Sequence, residues 1–600
     1  MRTQHRISAT CSILLACILL FSACGAAVAD AKFAPGTYTS CSKGFGGDVT
    51  VTVEVSEARI EAVSAVGDQE TAGIGTTALE RLPGMIVENQ TLKLDAVAGC
   101  TITSAAVLDA AANALREAGA DDSAIYAEPA QADEAQAETE TLETDVLIVG
   151  AGASGLSAAL SARQNGVENV IVIEKMPAVG GATSTAGGGM EAYRVDEDPA
   201  VTEKNIEELF LYWCRTGKFT NNARLTMLAA RLSTPTVEWM RASGIGVTGE
   251  PAEGEPTFSA NCDGRAAGAI NTLYEKVREA GVSVMLDTRA EHLIMEDGRV
   301  VGVEATGAKG QTLILRAKAV LLATGGYGNN VSLITDTDML KNVIYYGPVC
   351  ATGDGHLMAQ EIGVPLFNMD KVATKHFGVE TTPGQGIHIH WAVAALFTKT
   401  GAIAVNKAGE RVVDESGDEL DIALASMHKS SDGRLYIVMD QEDYTLFSDI
   451  LMQYGAFTQE QLDAFIQENG SGVTKLVKND TLAGAAEAIG LDAAAVEATV
   501  AAYNQDATAG KADPFGRPYV EEIGEGPYYI MQTVARFATT LGGVNVTDNL
   551  EVLDVNEQPV PGLYAAGEIV GNVNGSYAHY LIWCFGSGYR FGEVIPSLLP

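Results

Sequence analysis

The sequence predicts an α/β protein of two to four domains, with a parallel-sheet domain interrupted by an inserted α+β segment and preceded by a small α+β unit. Three observations predict it. Six hundred residues exceed what one hydrophobic core organises. Alanine, glycine and valine dominate, which suits strands and helices joined by tight turns. The third is an ordered run: apolar residues 146–149, the turn Gly150-Ala151-Gly152-Ala153-Ser154-Gly155, a helix over 154–164, and an apolar stretch closed by Glu174. That order reads as strand, turn, helix, strand.

Taken from the N-terminus, residues 1–29 predict a secretion signal. Arg2, His5 and Arg6 form a basic start, and residues 12–21 form an apolar run too short to span a bilayer comfortably. Leu20-Phe21-Ser22-Ala23-Cys24-Gly25 resembles a bacterial lipobox with Cys24 as the lipidated residue, although Phe21 stands where Leu is preferred. The small residues Ala27-Val28-Ala29 offer plain signal cleavage instead. Several acyl chains on Cys24 would hold the protein on the extracytoplasmic face of the cell membrane. Residues 33–119 predict the small unit: 49–55 alternate β-branched and polar residues as a half-buried strand does, and 103–118 read as a helix capped by Ser104. Residues 120–144 are Ala, Glu, Asp and Gln with little apolar bulk, an extended acidic linker. The large domain then runs over 145–346, breaks for an inserted segment over 347–536, and returns over 537–600; its first part is itself expected to be interrupted, resuming at 311–315 and 319–326.

Thirty-nine Lys and Arg against 77 Asp and Glu leave a net charge of −38, a field that repels nucleic acid. An anionic substrate would need a local cluster of cations. Beyond Cys24, the cysteines at 41, 100, 214, 262, 350 and 584 are scattered, without a CxxC pair, a haem-attachment motif or iron–sulfur spacing. No metal site is expected.

The glycine turn alone suits either NAD or FAD, and four further segments favour FAD. Glu174-Lys175 with Gly180-Gly181-Ala182-Thr183-Ser184 and Ala186-Gly187-Gly188-Gly189 is one. The others are Ala323-Thr324-Gly325-Gly326-Tyr327, Thr352-Gly353-Asp354-Gly355 and Gly562-Leu563-Tyr564-Ala565-Ala566-Gly567-Glu568. Together they resemble the fumarate reductase/succinate dehydrogenase flavoprotein superfamily over nearly all of 145–600. The resemblance implies a Rossmann-like FAD-binding domain with an inserted capping domain and non-covalent FAD. Glycines 150, 152 and 155 would receive the pyrophosphate at a helix N-terminus, Glu174 the ribose, and Glu568 the ribityl or isoalloxazine region.

A second flavin is implied upstream. Residues 44–55, Glu70-Thr71-Ala72-Gly73-Ile74-Gly75 and the tag Asp95-Ala96-Val97-Ala98-Gly99-Cys100-Thr101 resemble an FMN-binding domain of extracytoplasmic electron carriers. In that family a flavin transferase esterifies FMN phosphate to the last threonine of the tag, here Thr101, with Thr103 a nearby decoy. Ala98 and Cys100 depart from the usual tag, both with small residues. A covalent flavin on a flexible linker would have a high effective concentration at the FAD domain.

The substrate residues of the resemblance are largely missing. The turn 401–415 matches the segment that leads to the proton-donor arginine of fumarate-type enzymes, but the donor position falls near Glu419, and Arg411 belongs to the turn itself. Thr539 stands where a His is usual, and an Asn-Arg pair is absent from the shortened loop 571–580. Fumarate is therefore not the expected substrate. Tyr577, His579 and Tyr580 lie where the substrate clamp would be, and Tyr hydroxyls can donate to a carbonyl or deliver a proton. The inserted segment adds His376, His388 and His390 beside Trp391. The expected catalytic set is Tyr577, Tyr580, His579 and His390, and a monocarboxylic aromatic acrylate fits if Arg265 or Arg536 enters the site. The implied function is a lipid-anchored reductase in anaerobic respiration. It would pass electrons from a membrane-bound donor through FMN to FAD and, as hydride, to an activated C=C bond of a small organic acceptor, an enoate or enone. A 3-ketosteroid-type dehydrogenase and a non-catalytic electron-transfer lipoprotein are the alternatives.

Overall fold

A computed structural model describes residues 33–44, 46–70, 75–94, 97, 100–127, 139–518, 521–573 and 580–599. The signal region with Cys24, the side chain of Thr101, and Tyr577 and His579 lie outside the described residues. The chain divides between residues 137 and 138 into two compact units.

In the first unit, β1 (Gly36–Lys43), β2 (Asp48–Val55) and β3 (Ile60–Val66) form an antiparallel sheet with β2 central. The alternation of β2 buries Val49, Val51, Val53 and Val55. They share a core with Leu82 and Ile86 of α1 (Gly75–Asn89) and with Val107 and Leu115 of α2 (Thr101–Glu117). Ser104 is not the cap of α2. Cys100 holds that position, and the Ser104 hydroxyl accepts the Val97 amide at 3.0 Å, tying down the preceding loop. The stretch 120–144 also differs from an extended linker at both ends. Asp122–Ile125 is a helical turn whose buried Ile125 offers its carbonyl to the Leu92 amide at 2.8 Å, and residues 139–144 already form strand.

The second unit opens with β4 (Thr139–Val149), α3 (Ala153–Gln164) and β5 (Val170–Ile173). A small sheet follows, of β6 (Gly189–Tyr193), β7 (Val247–Thr248) and β8 (Thr257–Cys262). Then come β9 (Ser283–Met285), β10 (Arg289–Glu296), β11 (Arg299–Thr306), β12 (Thr312–Leu322) and, much later, β20 (Glu551–Leu553) and β21 (Pro559–Ala565). The main sheet runs β10-β11-β12-β4-β5-β9, and β21 joins it along the second half of β12. Strands β12, β4, β5 and β9 are parallel. Residues 146–149 are unbroken apolar because both faces of the sheet are covered. Residues 312–315 and 319–322 of the resumed segments lie on one strand, β12.

Between β12 and β20 the chain builds a seven-stranded sheet from β13 (Val343–Tyr345), β14 (Lys375–Thr382), β15 (Gln385–His388), β16 (Ile403–Val405), β17 (Arg434–Met439), β18 (Leu476–Asn479) and β19 (Tyr528–Phe537). Strand β19 is its hub, pairing with β13, β14, β17 and β18. Helices α4 (Asp354–Glu361) and α5 (Glu419–Lys429) flank the sites described below, and α6 (Tyr580–Leu598) ends the unit against α3. That contact is close because α6 presents glycine: a Cβ on Gly588 would lie 2.1 Å from the Ser154 carbonyl oxygen. Among the described residues no helix is long and apolar enough to cross a membrane.

Candidate active site and flavin cleft

The turn between β4 and α3 opens a cleft. Its three glycines serve different ends. Gly150 has φ +106°, and a Cβ there would lie 2.4 Å from the Ala323 carbonyl oxygen. A Cβ on Gly155 would stand 1.9 Å from the Gly150 carbonyl oxygen, so this glycine lets α3 pack on the turn. A Cβ on Gly152 meets nothing nearer than 3.7 Å, which leaves room for a ligand against the backbone. Gly152 is also the N-cap of α3 and supplies no side chain, so the first amides of the helix remain available to an anion.

Ser154, Glu174, Lys175, Gly181, Ala182 and Thr183 line the cleft on this side. Glu174 accepts the amides of Ala151 and Met176, each at 2.8 Å; burial pushes its carboxyl upward against these bonds. Lys175 bonds the Thr352 hydroxyl and pairs with Asp354 at 2.9 Å, tying the end of β5 to the start of α4. From the opposite side come Gly325, Gly326, Asp354 and Glu568. Glu568 accepts both the amide and the hydroxyl of Thr540, at 2.8 and 3.0 Å, and burial pushes its carboxyl up to about 7. A Cβ on Gly326 would lie 2.1 Å from that carboxylate. Ser184, Gly187, Gly188 and Gly567 are not in the lining; Gly188 and Gly567 shape its walls with φ of +100° and +80°. Thr324, Cys350 and Cys584 line it without having been expected, as neighbours of the motif residues. An open glycine cradle, an uncapped helix N-terminus and a buried carboxylate at the far end fit FAD.

A second cleft lies in the inserted segment. It is bounded by Tyr346, Lys375, His388, His390, Glu419 and Arg536 among others. Arg536 comes from β19, and four residues on the same segment supplies Thr540 to Glu568, so one stretch of chain serves both clefts. The Arg536 side chain is nearly inaccessible. It donates to Glu419 at 2.6 Å and to the His376 carbonyl at 2.7 Å, and lies 4.7 Å from the centroid of the Tyr346 ring. His390 Nδ1 stands 3.0 Å from the other oxygen of Glu419. Desolvation raises the Glu419 pKa, but the His390 bond and the Arg536 charge outweigh it and bring it to about 2. His388, packed between Tyr346 and Trp391 at 5.1 and 4.2 Å, is lowered by burial to about 4 and is neutral at pH 7.

Of the expected catalytic residues, His390 alone is in this cleft among the described residues. Tyr580 lines neither cleft; it is buried at the start of α6, its phenol pushed far up by burial and then by the neighbouring Glu568. His376 is fully buried beside Phe377 and contributes its carbonyl rather than its ring. Arg265 is exposed at the start of its helix, outside the cleft lining, whereas Arg536 does enter. Lys375 was not anticipated; a lysine closing an otherwise polar-aromatic strand start gives little signal. No group of three or more His, Cys, Asp or Glu is arranged to hold a metal among the described residues.

In the first unit, α2 begins at Thr101 without a side-chain cap from Cys100. Thr103 is committed elsewhere: its buried hydroxyl donates to Glu70 at 2.6 Å, and Glu70 also accepts the Gly46 amide at 2.9 Å.

Residues 145–580 match the FAD binding domain family and residues 44–116 the FMN-binding domain family. The chain belongs to the FAD-binding flavoprotein family of the fumarate reductases, and is a flavin-dependent oxidoreductase with an FAD and an FMN domain. Over 558 residues it is 31% identical to a urocanate reductase of Eggerthella lenta, covering 90% of this chain and 88% of that protein. It is 27% identical over 640 residues to an NADH:acrylate oxidoreductase of Vibrio harveyi, covering 95% of this chain and 62% of the relative. The open form of a flavocytochrome c3 fumarate reductase superposes with a TM-score of 0.60 at 28% identity, over 77% of this chain and 79% of that one.

Proposed function

We propose that this protein is an extracytoplasmic, lipid-anchored reductase that uses FMN esterified to Thr101 and non-covalent FAD to reduce an activated C=C bond of a small organic acceptor. The observation that carries the reading is the segment from Arg536 to Thr540, which lines the second cleft at one end and bonds Glu568 of the FAD cleft at the other. The relatives support the bond type, since they reduce urocanate and acrylate by name. The Cys24 anchor, a membrane-bound electron donor and a flavin transferase for maturation complete the proposal, in anaerobic respiration.

Bound FAD supplies the hydride and FMN relays the electrons that regenerate it. The chain's own residues do the rest. Gly152, the start of α3 and Lys175 would hold the phosphates, Glu174 the ribose, and Glu568 the ring end. Lys375, which lines the second cleft, would meet an anionic acceptor there, and Arg536 fixes Glu419 beside it. His390 is fixed through Nδ1 to Glu419, leaving Nε2 as the ring nitrogen that can hand a proton to the carbon opposite the hydride. Tyr577 and His579 are further candidates for that proton.

Anaerobic turnover of the doubly flavinylated protein with reduced methyl viologen, against enoates, enones and fumarate, tests the reading. Oxidation of viologen with an enoate or enone supports it. Reduced flavin that no C=C compound reoxidises refutes it.

A further inference from the structure

Glu568 is held where bound FAD would close over it. It lines the FAD cleft, and its side chain is only partly exposed. The backbone here is fixed by α6: the Gly567 amide donates to the Ser587 hydroxyl and the Gly567 carbonyl accepts the Trp583 indole N–H, each at 3.0 Å. A Cβ on Gly567 would lie 2.2 Å from the Ser154 hydroxyl, so the turn packs directly on α3. The carboxylate is fixed too. Both Thr540 bonds fall on Oε1, which leaves Oε2 for the ligand. A side chain tethered in this way stays in the cleft when FAD covers it.

Among the described residues no cation pairs with it. Lys175 is the one Lys, Arg or His in the described lining of this cleft, and it is matched to Asp354 at 2.9 Å. The titratable groups that sense Glu568 are neutral acids: Tyr327 after β12, Tyr345 of β13, Cys350 ahead of α4, and Tyr580 and Cys584 of α6. Burial raises each of them first, and the Glu568 charge adds to the rise. His356 of α4, edge-on to Tyr327 at 4.9 Å, is lowered by burial to about 4 and is neutral at pH 7. Burial likewise raises Glu568, to about 7. Two-electron reduction of a flavin with one proton leaves the ring negatively charged. An ionised carboxylate beside it, with no cation between, repels that charge, and a carboxylic acid does not.

We propose that Glu568 takes up a proton when the FAD beside it is reduced, so that this domain gains two protons with its two electrons. FAD gains two electrons from the donor and one proton, and becomes an anion. The Glu568 carboxylate gains the second proton and becomes a neutral acid, both protons coming from solvent. Departure of hydride to an acceptor returns the ring to its neutral oxidised form, and the carboxyl releases its proton. Glu568 thereby makes FAD a better electron acceptor than a permanently ionised group would, and ties its potential to pH. The inference rests on FAD in this cleft and not on which acceptor is reduced.

Spectroelectrochemical titration of FAD in the full-length Thr101→Ala protein, its freedom from FMN checked by mass, reads this coupling between about pH 8 and about pH 9. One proton per two electrons changes the reduction equilibrium about tenfold per pH unit, about 30 mV, and two protons change it about a hundredfold, about 60 mV. The Thr101→Ala parent should show about 60 mV per pH unit, and the same protein with Glu568→Gln about 30 mV. Equal slopes in the two, or about 30 mV in the parent, overturn the proposal. Should Glu568→Gln fail to retain FAD, the reduced-minus-oxidised infrared spectrum of the parent at about pH 8 replaces it. A protonated-carboxyl stretch should appear on reduction, and Thr540→Val should move its frequency by removing the hydroxyl that bonds Oε1. No such band, or a band that Thr540→Val leaves in place, overturns the proposal equally. The steeper slope in a protein that reduces no C=C compound refutes the reductase reading and leaves this inference standing.

Discussion

Replacing Arg411 with methionine should destabilise the second unit by about 4 kcal/mol, from the loss of one buried charge between two others. Arg411 holds Glu415 through two bonds of 2.7 Å and Asp513 through one of 2.5 Å. The three side chains are 6%, 0% and 1% exposed. Burial lowers the guanidinium pKa, but Glu415 and Asp513 more than offset this and raise it. Tyr503 and Phe515 each lie 5.1 Å from the guanidinium. Breaking a buried ion pair from one side costs about 3–5 kcal/mol because the partner charge stays desolvated, and here two carboxylates would be stranded together. Methionine keeps most of the side-chain volume, so little of the loss comes from a cavity. The assay is urea unfolding followed by tryptophan fluorescence, since all four tryptophans belong to the second unit. Adding Glu415→Gln and Asp513→Asn should recover most of the loss, as both amides keep a carbonyl for the Ala404 and Phe515 amides. A stability of Arg411→Met within about 1 kcal/mol of wild type would refute the argument.

Thr101→Ala should remove the FMN mass from the tryptic peptide while FAD content stays at wild-type level; FMN found on Thr103 would contradict the bond that holds its hydroxyl to Glu70. Gly152→Ala should leave flavin-free stability unchanged, because the nearest atom to the new Cβ is 3.7 Å away, yet weaken FAD binding about tenfold or more by filling the cradle. The pKa of Glu568 is raised by burial from 4.5 to about 7, so its contribution to stability is full below about pH 4.5 and is lost as pH rises through 7. Asp443, raised to about 7 by burial and by Asp440, acts in the same direction. Protein stripped of FAD should therefore unfold at lower urea at pH 8 than at pH 5, and Glu568→Gln should flatten part of that slope. Tyr580→Phe should leave kcat within about threefold, and a loss of a hundredfold would return the phenol to the chemistry.

The FAD sheet was legible because its constraints are local. Residues 146–149 must be apolar to sit inside a covered parallel sheet, and Gly150, Gly152 and Gly155 each answer a separate backbone demand within one turn. The start of α2 was placed two residues late and its cap four, because Ser104 has the chemistry of a cap, and only the Val97 amide reveals what it bonds. The linker was overextended because composition does not show that Ile125 packs beneath Leu92. The substrate cleft was the least legible part. Glu419 marked the right place, but its partners Arg536 and His390 come from β19 and from the start of the helix His390–Lys399, which only tertiary packing brings together. A signal for Arg536 was available: it is the one charged residue in the run Tyr528–Phe537, whose neighbours are mostly buried. An arginine in a covered central strand needs an internal partner.

The order in which the large unit closes constrains how it is made. Val320 of β12 waits for Leu563 of β21, and α3 waits for α6, so the first half of the FAD sheet emerges from the ribosome without its lateral neighbour. Glu568, the carboxylate at the far end of the cleft, belongs to the same late segment. A complete dinucleotide cleft then needs the segment that carries β21 and Glu568, and a chain truncated before it would expose an unsealed apolar edge rather than a smaller flavoprotein.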